Sequence, residues 1–143
     1  MGHLLKQILF LGLVLGAVWA AAAWPRINDV ETGKTPEYPD LKVRVYSQGP
    51  EKVAKAAEEA VKSLPRWMLM GQGKGPGGYS LQAIHETPVL GFKDEVTVEI
   101  RRDGSWTKVK VRSRSRSSAM KWDFGQNARN IRELLSAVDR QVF

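Results

Sequence analysis

The side chains that could do chemistry in this chain are few and scattered. Histidine occurs only at His3 and His85, and cysteine is absent. A metal centre needs several imidazoles, thiolates or carboxylates converging on one point, and no such cluster is visible. The missing cysteines also exclude thiolate nucleophiles and disulfides. His85 stands beside Glu86. Neighbours on a strand point to opposite faces, so His85 is expected as a half-exposed surface residue without a catalytic partner. Asp94 and Glu95 diverge for the same reason. The serines have no evident base, and no carboxylate pair of the glycosidase kind presents itself. No catalytic residue, metal ligand or cofactor site is therefore assigned.

The segment Gly71–Gly78 contains Gly73, Lys74 and Gly75, which invites a phosphate-loop reading. No Ser or Thr follows the lysine, and a strand comes next where a helix N-terminus would be needed. A flexible hairpin connection is the better expectation.

The basic residues carry the strongest pattern. Lys108, Lys110, Arg112, Arg114 and Arg116 alternate along one strand and therefore share a face. Asp103-Gly104 reads as a two-residue hairpin turn. That turn sets Val98 against Val109 and Val96 against Val111 inward, with Glu99 facing Lys108 and Glu95 facing Arg112 outward. It leaves Lys93 opposite Arg114 and gives Arg114 and Arg116 no acid. Asp94, Asp123 or an external anion must then neutralise them. The last helix starts close by, with Asp123 as N-cap and Gln126 at capping-box spacing. Arg114, Arg116, Asp123, Asn127 and Arg129 thus form either an internal polar bracket, with Asp94 and Asp123 as its acids, or an anion pocket. The candidates for binding an anion or a partner are Lys93, Lys108, Lys110, Arg112, Arg114, Arg116, Asn127 and Arg129.

Regular elements must position these residues. Leu41–Tyr46 alternates as a strand. Pro50 opens a helix whose apolar face is Val53, Ala57, Ala60 and Leu64, and Pro65 closes it. Trp67–Met70, Tyr79–His85, Phe92–Arg102 and Ser105–Arg116 read as strands. Phe124, Ala128, Ile131, Leu135, Val138 and Val142 form the stripe of a final helix. The expected fold is α+β: an antiparallel sheet of four to five strands with two helices packed on one face, preceded by an N-terminal transmembrane helix. Residues 25–40, broken by Pro25, Gly33, Pro36 and Pro39, read as a linker, and residues 41–143 as a single domain.

Residues 1–24 read as a membrane anchor or signal segment. Ile8–Trp24 is an unbroken run of apolar and small residues, and extension to Leu4 spans roughly the ~30 Å of a bilayer core. Lys6 lies before the run, and Trp19 and Trp24 suit the far interface, which places the N-terminus inside and the domain outside. The rival is a signal peptide cleaved near Ala20–Ala23. The expected location is the inner membrane, single pass with the N-terminus in the cytoplasm and the domain on the periplasmic side, or the periplasm after cleavage. Of the 22 basic residues only Lys6 precedes Trp24, so the net charge of +7 resides almost wholly in the domain. It favours acidic partners. An exported domain meets anionic lipid or acidic proteins rather than nucleic acid.

The runs Arg112–Arg116 and Asp123–Arg132 resemble the signature of the bacterial and plastid domain of unknown function 1499. Asn28-Asp29-Val30, Tyr38–Leu41, Thr87-Pro88 and Gly91–Glu95 add to the resemblance, which covers residues 27–140. It implies no activity, cofactor or catalytic residue. The expected role is a non-catalytic, membrane-anchored accessory or assembly subunit docking on a membrane protein complex or anionic membrane surface through its basic face. Alternatives are a binding protein for a small anionic or amphipathic ligand, with its pocket between the last helix and the sheet, and, further off, a hydrolase.

Overall fold

The structure, a computed structural model, describes residues 2–143; Met1, the first residue of the expected anchor, lies outside them. Helix α1 (Gly2–Ala23) is apolar all round from Ile8 onward, and none of its residues is buried. At 1.5 Å per residue it is about as long as a bilayer core is thick. Among the described residues nothing covers that apolar surface.

The remaining elements are β1 (Asp29–Glu31), β2 (Arg44–Tyr46), α2 (Pro50–Ser63), β3 (Trp67–Gly75), β4 (Gly78–Glu86), β5 (Lys93–Asp103), β6 (Trp106–Ser115) and α3 (Gln126–Val142). They form one antiparallel sheet in the order β1-β6-β5-β4-β3. Strand β2 also pairs with β6. Since β5 occupies one edge of β6, β1 and β2 lie end to end along the other. The sheet has six strands, not four to five. The addition is β1, drawn from the stretch expected as a linker: Val30 is fully buried there, and Thr32 ties it to Val111.

Both helices lie on one face. Pro50 supplies the preset φ of a first helical residue, and α2 buries Val53, Ala57, Ala60 and Val61. Helix α3 buries Ala128, Ile131, Leu134, Leu135, Val138 and Val142. Between them and the sheet sit Leu81, Val96, Val98, Ile100, Val109 and Val111, all at most 2% exposed. Each such side chain contributes about 1.5–3 kcal/mol when fully buried. Among the described residues no element forms a layer over the other face of the sheet.

The glycine-rich segment is mostly strand. β3 runs on to Gly75, Gly78 opens β4, and only Pro76-Gly77 turns. A bulge between Leu69 and Gly71 sets Met70 outside the ladder. The expected register of β5 on β6 is corrected by two residues: Val98 faces Val111, Glu99 faces Lys110, and Glu95 faces Arg114. Gly104, at φ +59, takes the first central position of the turn, with Asp103 and Trp106 paired across it. A shift of two preserves the faces, because strand side chains alternate with period two. It changes every cross-strand partner.

Candidate functional site

The sheet divides the expected bracket in two. Asp94, Asp123 and Asn127 lie buried on the helix side. Lys93, Lys108, Lys110, Arg112, Arg114 and Arg116 are exposed, and the stripe from Lys108 to Arg114 lies on the open side. Arg114 and Arg116 therefore do not join Asp123 and Asn127.

On the helix side a chain of polar groups runs between α3 and the sheet. Asp123 Oδ1 accepts from the Gly125 amide at 2.8 Å, and Oδ2 accepts from the Asn127 amide at 3.0 Å and from Asn127 Nδ2 at 2.6 Å. The Ser113 hydroxyl donates to Asn127 Oδ1 at 2.7 Å. Asn130 Nδ2 donates to Ser113 Oγ at 3.2 Å and to Asp94 Oδ2 at 2.8 Å. His85 Nδ1 ends the chain, 3.4 Å from Asp94 Oδ2. Burial of polar groups is tolerable when each finds a partner, and here each does. Asp123, expected as the N-cap, stands two residues before it: Gly125, at φ +77, is the N-cap position, and the Asp123 carboxylate reaches past it to the Asn127 amide. Of the amides that could have received an external anion, those of Gly125 and Asn127 already hold the Asp123 carboxylate and that of Gln126 holds the Asp123 carbonyl.

His85 is not the half-exposed residue expected from sequence. It is 5% exposed and packs at 5.3 Å from the Trp67 ring. It does not activate a nucleophile through Ser113, whose proton goes to the Asn127 carbonyl. Among the described residues no group of three His, Asp or Glu is placed to hold a metal.

The open side is largely self-neutralised. Arg114 pairs with Glu95 at 2.9 Å, and Arg116 reaches the same carboxylate at 3.9 Å. The corrected register is the reason, replacing the expectation that both lacked an acid. Lys108 pairs with Asp103, and Arg112 makes a two-pronged pair with Asp29 of β1. The Arg112 hydrogen bonds hold the Asp29 carboxyl below its ordinary range. Lys93 and Lys110 make no ion pair among the described residues. Apolar side chains interleave with these charges: Met68, Met70 and Trp106 are each more than half exposed. A groove of about 360 Å³ runs over Met68, Met70 and Ile84 and is rimmed by Arg66, Glu86, Lys93 and Arg116.

A third group stands where α1 enters the domain. Trp122 stacks on Phe124 at 4.3 Å, and Trp24 meets Phe124 edge-on at 6.4 Å. Arg26 lies over the Trp122 ring at 4.9 Å and Arg129 over Trp24 at 6.0 Å. Arg129 also donates to the Phe124 carbonyl at 3.0 Å. Phe124 thus leaves the helical stripe that its spacing suggested. It precedes α3 at φ +52 and is 46% exposed. Sequence reasoning missed this cluster, although three aromatic residues flanking Arg26 and Lys121 were there to be read.

The sequence model of one protein family, described as Protein of unknown function (DUF1499), matches residues 21–138. No curated protein matches the chain.

Proposed function

The chain belongs to the DUF1499 family, and from that premise we propose that it is a non-catalytic, membrane-anchored accessory module. Its α1 spans the inner membrane with the N-terminus in the cytoplasm, and the domain docks, on the periplasmic side, on an acidic surface of a membrane protein complex. The observation that carries this reading is the pair of surfaces that the described residues leave uncovered: α1 and the open face of the sheet. An apolar helix of that length is stable in lipid. An open sheet face with Met68, Met70 and Trp106 among unpaired Lys93 and Lys110 fits an apolar contact ringed by favourable charge. The buried polar chain supports a structural rather than a chemical role for the most distinctive motif.

The test is an affinity pull-down of the full-length chain from detergent-solubilised membranes. A partner should be retained by the native chain, released by raised salt, and lost with Trp106→Asp or Lys110→Glu. Retention that ignores both salt and substitutions would count against open-face docking.

The groove over Met68, Met70 and Ile84 favours a second reading: a small amphipathic anion bound with its tail on the methionines and its charge at Lys93 and Arg116. It lies on the open face and not, as expected from sequence, between the last helix and the sheet. Native mass spectrometry of the gently extracted protein would show the added mass, and its loss in Met70→Asp would place it.

A further inference from the structure

We propose that the end of the sheet beside α1 rests in the phospholipid surface of the same bilayer, with the β4–β5 loop inserted through Val89 and Leu90. The inference rests on the reading of α1 as a membrane span and adds a second, independent contact.

The loop 87–92 is built to present its tip. The Thr87 amide donates to the Phe92 carbonyl at 2.8 Å, the Gly91 amide to the Thr87 carbonyl at 3.1 Å, and the Phe92 amide to the Thr87 hydroxyl at 2.9 Å. Across the tip the Leu90 amide reaches the Pro88 carbonyl at 2.8 Å, closing a γ-turn with Val89 at φ +70. A β-branched residue is seldom held at positive φ, and such strain gathers at functional positions. The product is a rigid spur carrying Val89 fully exposed, Leu90 at 70% and Phe92 at 43%. Nothing among the described residues packs on Val89.

What covers this tip follows from where it stands. The Asp123 amide is held by Ile27, the Ser115 amide by Asn28, and the Arg116 amide by Lys93. These bonds step across the end of the sheet from the foot of α1 to the first residue after the spur. The separation is two strand spacings, roughly 10 Å, at the same level. The anchor and the spur therefore point to one plane. The chemistry of that plane is interfacial. Trp24, Trp122 and Phe124 form an aromatic girdle, with Arg26, Lys121, Lys93 and Arg116 exposed around them. The acids at this rim are mostly committed: Glu95 to Arg114, Asp29 to Arg112, and buried Asp123 to the amides of Gly125 and Asn127, while Glu86 lines the groove beside Lys93 and Arg116. Apolar tip, aromatic ring and cations at one height match acyl chain, interface and phosphate in turn.

The chain has no native cysteine, so single labels report single sites. The full-length protein, carrying an environment-sensitive fluorophore at Val89→Cys, Leu13→Cys or Ser105→Cys, is reconstituted in phosphatidylcholine–phosphatidylglycerol vesicles. Quenching by nitroxide lipids is set against quenching by aqueous iodide. The inference expects Leu13 deep in the bilayer, Val89 quenched by shallow nitroxide and shielded from iodide, and Ser105, at the far hairpin, open to iodide alone. A deep Leu13 with Val89 behaving as Ser105 does would overturn the spur and leave the anchor standing. A water-exposed Leu13 would overturn both.

Discussion

The Asn130 side-chain amide donates to both Asp94 at 2.8 Å and Ser113 at 3.2 Å, so one group of α3 fastens two strands of the sheet. All three residues are buried. Asn130→Ala would leave the Asp94 carboxylate with His85 alone. The expected loss is roughly 2–4 kcal/mol in urea unfolding of the full chain in mild detergent. Arg114→Ala, which removes an exposed ion pair, should cost under about 1 kcal/mol. Equal losses would mean that the buried chain is not what fastens α3.

Gly78 is held at φ +134, and a methyl group there would run into the Ile100 carbonyl oxygen of the neighbouring strand. Gly78→Ala should destabilise by about 3 kcal/mol or more. Gly71→Ala meets nothing within 4 Å and should stay within about 0.5 kcal/mol. Thermal unfolding of the two variants side by side gives the comparison.

Acid should weaken the attachment of β1. Arg112 holds the Asp29 carboxyl below its ordinary value of 3.8. The unfolded chain therefore binds this proton more readily than the folded one. The contribution is present above that value and is lost as pH falls through the lower folded pKa. The pair is partly exposed, so the loss is under about 1 kcal/mol. Asp29→Asn should flatten the acid limb of the stability curve, and an unchanged limb would assign it to other carboxylates.

Alkali acts on Tyr46. Burial, then the 2.6 Å hydrogen bond to Asp139, push its hydroxyl above the ordinary value of 10.0. The folded chain keeps this proton after the unfolded chain has lost it. Stability is complete below pH 10.0 and declines as pH rises beyond it. Tyr46→Phe should cost about 1–2 kcal/mol at neutral pH, since Asp139 keeps Arg44 at 3.3 Å. It should also make the alkaline decline shallower.

Much of the fold was legible because alternation and helical spacing are local properties. The strands around Val98 and Val109 and the stripe from Ala128 to Val142 needed no knowledge of neighbours. The offset of the β5–β6 turn did: Asp103-Gly104 and Gly104-Ser105 are both acceptable turn pairs, and both keep apolar against apolar. Only the geometry at Gly104 separates them, and with it went the assignment of Glu95 to Arg114. Strand β1 escaped notice because three residues are too few to show a period. His85 is buried by Trp67 from another strand, which strand spacing cannot reveal. Part of the polar chain was within reach: Asn127, Asn130 and Leu134 share the spacing of the buried face, so polar residues on a core stripe were the clue.

The stretch between α1 and β1 leaves almost no slack. The Ile27 carbonyl is already fixed by the Asp123 amide. From Ala23 the free chain can reach about 14 Å even fully drawn out. Under the proposed anchoring of α1, a domain on so short a leash does not sweep the compartment. With α1 in lipid it meets others only by gliding alongside them, so its encounters are two-dimensional and set by crowding in the plane.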